Sequence, residues 1–137
     1  EYVKSIDSSK TIHIGETGWA TVSNGFYGAN GSRATDQYKQ GLYYNKLREW
    51  TNQEGISCFY FEAFDEQWKD AQNSNGSENH FGLFTKKGAA KFPIWNLVDR
   101  GVFNGLSRNG HPITKTYDGE YESLMEDVLV PNTDYNR

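Results

Sequence analysis

The chain predicts an α/β fold, and three observations carry that expectation. An apolar run over 11–19 (TIHIGETGW) and a second over 56–69 (ISCFYFEAFDEQWK) read as strands, a helical pattern separates them, and each run ends on a carboxylate with a Trp close behind. In that strand, helix, strand order, Glu16 and Glu66 should stand at the C-terminal ends of the two strands. That edge of α/β folds is where ligands bind and chemistry happens. Acid groups beside indole faces suit a sugar site. Carboxylates do nucleophilic or acid/base work at a glycosidic bond, and flat rings stack on the apolar faces of pyranose rings.

In the first run Ile12, Ile14 and Glu16 share one parity, which places Glu16 on the isoleucine face, the interior one in a closed parallel barrel. Gly18, Gly25, Gly28 and Gly31 with Asn24 and Asn30 then predict a long loop, a candidate cleft wall. Thr35 or Asp36 can cap a helix over 36–52, on which Tyr43, Leu47 and Trp50 recur at i, i+4 and i+7, and Gly55 ends it. The stretch 56–64 is nearly continuous in apolar and aromatic residues, as in a strand buried on both faces, with Glu62 interrupting it. A polar Asn- and Ser-rich loop over 70–79 follows, then a short packed FGLF at 81–84 and a turn at Lys86, Lys87 and Gly88. Pro93 suits the first position of a short helix bearing Ile94, Leu97 and Val98 at core spacing. Beyond Arg100 the pattern offers a short strand over 114–117, a turn at Asp118 and Gly119, and helical spacing of Tyr121, Leu124, Met125, Val128 and Leu129 before a polar tail. The chain thus divides into a chemistry-bearing part, 1–99, and an extension or linker, 100–137.

With 137 residues there is enough chain for one domain with a real core. The start at Glu1, with a strand signal almost at once, points to a segment of a longer protein. No secretory h-region is present, and no apolar run is long enough to cross a bilayer. A formal charge of −4 without a basic cluster argues against nucleic acid as partner. Cys58 is the single cysteine and lies inside an apolar strand, so it reads as a core residue with no partner for a disulfide. His13, His80 and His111 lack ligand spacing, and Asp65, Asp70 and Glu78 do not follow the EF-hand pattern; neither a metal nor another cofactor is expected. A Ser, His, Asp triad finds no G-x-S-x-G elbow to support it. Asn30 and Asn75 begin N-G-S glycosylation acceptor patterns, which short polar loops often carry by chance.

Each candidate also has an ordinary reading. A Glu at a strand end is commonly a surface carboxylate, and Glu66 with Lys69 three residues on is compatible with an exposed ion pair of little worth. Trp19 and Trp68 can be core rings, although their places just beyond the carboxylates favour sugar stacking for at least one. Trp50 and Trp95 fall on helical apolar faces and read as packing. Phe61 fits either role.

Three motifs in order carry a family resemblance: IGETGW at 14–19, FYFEAFDEQWK at 59–69 and SENHFGLF at 77–84. Together they resemble the C-terminal part of a family-17 glycoside hydrolase, the β-1,3-glucanase family of (β/α)8 barrels. The EAFDE run with Trp68 looks closer to microbial members than to plant ones. The resemblance implies that the chain holds the last two βα units of the barrel plus a C-terminal extension. It maps the catalytic nucleophile onto Glu16, with Glu66, Lys69 and Glu78 as the polar cluster around it. Lys69 would help to hold the nucleophile ionised. It also implies substrate contacts from Trp19, Phe61, Glu62 and Trp68, with Glu16, Glu66, Lys69 and Glu78 converging in one cleft at the C-terminal ends of the two strands and Trp19 or Trp68 as an exposed wall.

The implied activity is retaining hydrolysis of a laminarin-like β-1,3-glucan. A glucanosyltransferase on the same barrel and a non-catalytic glucan-binding protein are the alternatives. Neither the family's general acid nor about six strands of a barrel of roughly 250 residues are present. The implied partners are therefore the polysaccharide and the remaining N-terminal barrel half, in the same or another chain. The implied location is secreted or cell envelope.

Overall fold

The structure, a computed structural model, describes residues 2–23 and 33–131. Most of the predicted glycine-rich loop, including Asn30, lies outside the described residues, as does the tail after Pro131. A short helix α1 (Tyr2–Ile6) leads into β1 (His13–Thr17), α2 (Gln37–Glu54) and β2 (Ser57–Tyr60). β1 and β2 pair in parallel, His13 opposite Ser57 and Thr17 opposite Tyr60, so the expected βαβ unit is present.

Local chemistry sets the limits of α2. Asp36 has an extended backbone, and its carboxylate accepts the Lys39 backbone N–H at 2.7 Å, satisfying a donor that the first turn leaves open. At the other end Gly55 turns left-handed at φ 62, its N–H facing the carbonyls of Asn52 and Thr51.

Several expectations are corrected. The buried stripe of α2 is Gln40, Gly41 and Thr51, and Trp50 is 47% exposed rather than packed. The helix docks through its small face because Phe92 lies against Gly41, where a Cβ would sit 2.8 Å from the ring. β2 stops at Tyr60 instead of running to Phe64, and its residues alternate between exposed and half-buried, so Cys58 is only half-buried. In β1 the register shifts between Ile14 and Thr17, which breaks the alternation that placed Glu16 with the isoleucines.

After β2 the chain continues through single bridges, Phe64 to Phe84, Phe84 to Ala90 and Ala90 to Lys115. Pro93 opens a 3₁₀ turn (Phe92–Ile94) that runs into α3 (Trp95–Asp99), with Ile94 and Trp95 buried. Trp95 donates its indole N–H to the Ala90 carbonyl at 3.1 Å and so packs as expected. The hairpin of β3 (Ser107–Arg108) and β4 (His111–Pro112) turns at Asn109 and Gly110, both at positive φ, an Asn-Gly signal that the sequence reading passed over. In place of the expected strand at 114–117 stand the single bridge at Lys115 and a 3₁₀ turn (Thr116–Gly119). The final helix, α4 (Tyr121–Glu126), buries Leu124.

Residues beyond 99 are tied to the rest of the chain. Ala90 donates to the Thr114 carbonyl at 2.6 Å, the Thr116 hydroxyl bonds Gln37 at 2.6 Å, and Lys39 reaches the Leu129 carbonyl at 2.7 Å.

Because the Asp36 carboxylate supplies the first-turn acceptor, Asp36→Ala should lower stability by roughly 1–2 kcal/mol. The midpoint of denaturant unfolding measures it, and an unchanged midpoint would show that solvent replaces the cap without loss.

Candidate active site

A parallel pair brings the C-terminal ends of β1 and β2 to one edge, and the connection there is direct. Phe61 donates its backbone N–H to the Thr17 carbonyl at 2.6 Å, so the residue after Glu16 is tied to the residue before Glu62. Gly18 makes this approach possible, since a Cβ there would lie 1.8 Å from the Phe61 carbonyl oxygen. The glycine of the ETGW run is thus required by backbone contact. Glu16, the penultimate residue of β1, is exposed at this edge.

The chain from Phe61 to Lys69 forms a charged cluster. The Lys69 ammonium lies 2.8 Å from Glu62 Oε2 and 3.2 Å from Glu66 Oε2, and 3.8 Å from the centre of the Phe61 ring. Phe61 in turn meets Phe81 edge-on at 5.6 Å. The Glu62 side chain is 14% exposed and that of Glu66 37%, while Trp68 stands out at 72%. Glu62 Oε1 is buried and has no hydrogen-bond partner among the described residues.

Burial raises the Glu62 carboxyl above its ordinary value; Lys69 opposes the rise and Glu66 adds to it. Burial works against the charge on Lys69, yet its bonds to Glu62 and Glu66 outweigh that and hold it above the ordinary lysine value. Both partners rise because the lysine gains two carboxylates, whereas Glu62 is buried and has a second acid beside it.

Glu78 stands apart from these contacts. It is exposed on a 3₁₀ turn (Ser77–Asn79) held by its neighbour Asn79, which is fully buried and bonds the Asp70 backbone at both N–H and carbonyl, each at 2.8 Å. Trp19 packs on Tyr43 with ring centres 5.1 Å apart and donates its indole N–H to the Ala34 carbonyl at 2.9 Å. A groove of about 530 Å³ borders Trp19, Leu42, Tyr43 and Lys46, and none of the expected catalytic residues lines it.

A second charged group, deeper in the chain, was not singled out by sequence reasoning. Lys91 is 2% exposed, and its ammonium donates to Asp65 Oδ1 at 2.7 Å and to the Thr21 hydroxyl at 2.8 Å. Asp65 Oδ1 also accepts the Gly82 N–H at 2.9 Å, and His80 Nδ1 lies 3.8 Å from Asp65 Oδ2. Gln40, fully buried, donates to the carbonyls of Trp19 and Gly82, each at 3.0 Å. The group therefore joins the exit of β1, the loop bearing Glu66 and the segment after Glu78.

Asp65, which follows no metal-binding pattern in the sequence, is an internal ion-pair partner. The hint in the sequence is a lysine flanked by apolar residues, AAKFP. Burial lowers the Lys91 pKa while Asp65 resists. The Asp65 bond raises that of His80 against burial, with the Ser74 carbonyl helping. Among the described residues no group of His, Cys, Asp and Glu is arranged to hold a metal.

These motifs lie within a family-scale match. Residues 4–95 match the model for glycosyl hydrolases family 17, and the chain belongs to that family. Among solved structures, an endo-laminarinase from Formosa Hel1_33_131 is 65% identical with a TM-score of 0.88, over 95% of this chain and 33% of its own. A glucan 1,3-beta-glucosidase of Arthroderma benhamiae is 39% identical over 92 residues, 62% of this chain and 28% of that protein. The Saccharomyces cerevisiae glucan 1,3-beta-glucosidase is 33% identical over 87 residues, covering 61% and 26%. The chain therefore spans about a quarter to a third of the relatives that it matches.

Two predictions follow from the buried group. Lys91→Met leaves Asp65 charged and enclosed, so it should cost about 3–5 kcal/mol, and adding Asp65→Asn should recover most of that. Equal destabilisation of single and double variants would sink the assignment of a coupled pair. Since the folded pKa of His80 is raised, its contribution is fully present below the unfolded value of about 6.5 and fades as pH rises through the folded value. Wild type should lose its stability advantage over His80→Gln across that window in thermal unfolding, and a gap constant with pH would refute this.

Proposed function

We propose that this chain is the nucleophile-bearing portion, the last two βα units, of a (β/α)8 barrel that hydrolyses a laminarin-like β-1,3-glucan with retention. The observation that carries the reading is the parallel β1–β2 pair. At its shared C-terminal edge exposed Glu16 precedes Thr17, whose carbonyl is tied to Phe61 at the start of the loop that carries the Lys69 cluster, all inside the family-matched segment. The endo-laminarinase likeness supports the substrate class.

In this mechanism a Glu16 carboxylate oxygen attacks the anomeric carbon as the glycosidic C–O bond breaks, giving a glycosyl ester. A general acid on the part of the barrel outside this chain protonates the leaving oxygen. The same group then takes a proton from water, which attacks the anomeric carbon and frees Glu16. Retaining geometry asks for that second carboxyl roughly 5–5.5 Å from Glu16. Trp68 supplies an exposed stacking face beside Glu66, with Trp19 and Phe61 as further ring contacts. Glu66 and Lys69 shape the charge around the nucleophile, and Glu78, exposed and apart from that cluster, is open to sugar hydroxyls. A polymeric substrate too large to enter a cell places the enzyme outside it, secreted or on the envelope.

Glu16→Gln in the full-length protein should keep the fold and glucan binding while lowering kcat by several orders of magnitude, because an amide cannot form the glycosyl ester. Azide should restore turnover of an activated substrate in Glu16→Gly with inverted product, read by proton NMR of the first-formed anomer. If wild type releases the inverted anomer, or Glu16→Gln retains near-normal kcat, the nucleophile lies elsewhere.

A further inference from the structure

Lys69 is saturated by its own neighbours. An ammonium has three N–H donors, and here one meets Glu62, one meets Glu66 and the Phe61 ring covers the remaining face. Little donor capacity is left for a sugar or for Glu16. The two carboxylates sharing that ammonium lie within about 6 Å of each other, so with both ionised the cluster carries one net negative charge.

They are not equivalent. Glu66 keeps more than a third of its side chain in solvent, whereas Glu62 is 14% exposed and its Oε1 is enclosed. An oxygen that a water molecule cannot reach is also closed to a sugar hydroxyl. Glu62 therefore presents little to a substrate, although the resemblance set it among the substrate contacts.

We infer that Glu62 is a positioning residue: it anchors Lys69 over Phe61 and takes up part of the ammonium's charge, so that it sets how strongly Lys69 acts on Glu66 and on the nucleophile edge. This rests on the reading of Glu16 as nucleophile. Among the described residues the charged groups facing Glu62 are Lys69 and Glu66 from its own loop, with Lys91 at longer range from the segment after FGLF. Its backbone partners, Phe81 and Leu83, bring no charge. The raised Glu62 carboxyl agrees with an acid that is enclosed and next to a second acid.

Neutralising Glu62 should return the full charge of Lys69 to Glu66 and remove a like charge from the edge. In full-length Glu62→Gln the acid limb of kcat/KM on laminari-oligosaccharides should move to lower pH by about 0.5–1 unit, the size of a carboxylate pair interacting near water-like dielectric. KM should change less than about twofold. An unmoved limb would overturn the inference whatever the KM, and a clearly raised KM beside it would make Glu62 a sugar contact.

Should Glu62→Gln fail to fold, carbon-13 titration of glutamate carboxyls in wild type and Glu66→Gln takes its place. Glu62 should titrate above the ordinary Glu value and fall when Glu66 is neutral. An ordinary value that ignores Glu66→Gln would refute it. Wild-type turnover and the loss in Glu16→Gln test the parent reading separately, so the two failures can be told apart.

Discussion

The arrangement of the site depends on one enclosed charge pair, Lys91 with Asp65. Removing two charges from water is costly, and the cost is offset only when geometry and further hydrogen bonds are good. Here the Lys91 ammonium has the Thr21 hydroxyl as a second acceptor, and Asp65 has the Gly82 N–H as a second donor. The pair's partners come from three places: just beyond β1, just beyond β2 and the FGLF segment. Neither strand is long, five and four residues, so backbone pairing alone would hold their ends weakly. The ion pair and Gln40 fix those ends where the ladder has run out.

Asp65 and Glu66 are consecutive, yet one belongs to the inner group and the other to the outer one. Neighbouring residues of an extended segment project to opposite sides, so a DE dipeptide can serve two lysines at once. Inward, Asp65 meets Lys91 at 2.7 Å with both side chains nearly closed to solvent. Outward, Glu66 meets Lys69 at 3.2 Å with its carboxylate partly open. An enclosed pair gives rigidity, while a half-open one keeps an acid that solvent or a ligand can address. The unequal Glu62 and Glu66 repeat the same division within the outer cluster.

Much of the fold was legible because its signals are local. The Asp36 cap, the Gly55 stop and the Pro93 helix start each act within a few residues, and each is found where the sequence put it. Longer patterns misled where tertiary contacts overrode them. The apolar run over 56–64 reads as one strand, but only Ser57–Tyr60 pairs with β1, and beyond it the chain turns to bridge Phe84. Trp50 fits a helical stripe, but Phe92 selects the Gly41 face of α2 instead. Of the candidate site, the Glu66–Lys69 contact follows from close spacing. The Lys91–Asp65 pair spans 26 residues and leaves no periodic trace, and Glu62's tie to Lys69 depends on a backbone course that spacing does not encode.

The proposed chemistry draws its general acid from the part of the barrel outside this chain. A general acid has to offer a proton to the leaving oxygen and afterwards withdraw one from water. Glu66 is occupied as an acceptor from an ammonium, and Glu62 is enclosed with its accessible oxygen on the same lysine. Both carboxylates therefore turn one oxygen to Lys69. Exposed apolar groups meanwhile mark where further structure would pack in the proposed barrel: Phe59 on β2 is 69% exposed, and Tyr2 and Ile6 on α1 are 79% and 71% exposed. The remainder of the proposed barrel, which would cover those groups, is also where the proposed mechanism draws its acid. On that reading one association both buries the apolar faces and completes the catalytic pair, so loss of the covering strands would remove stability and turnover together.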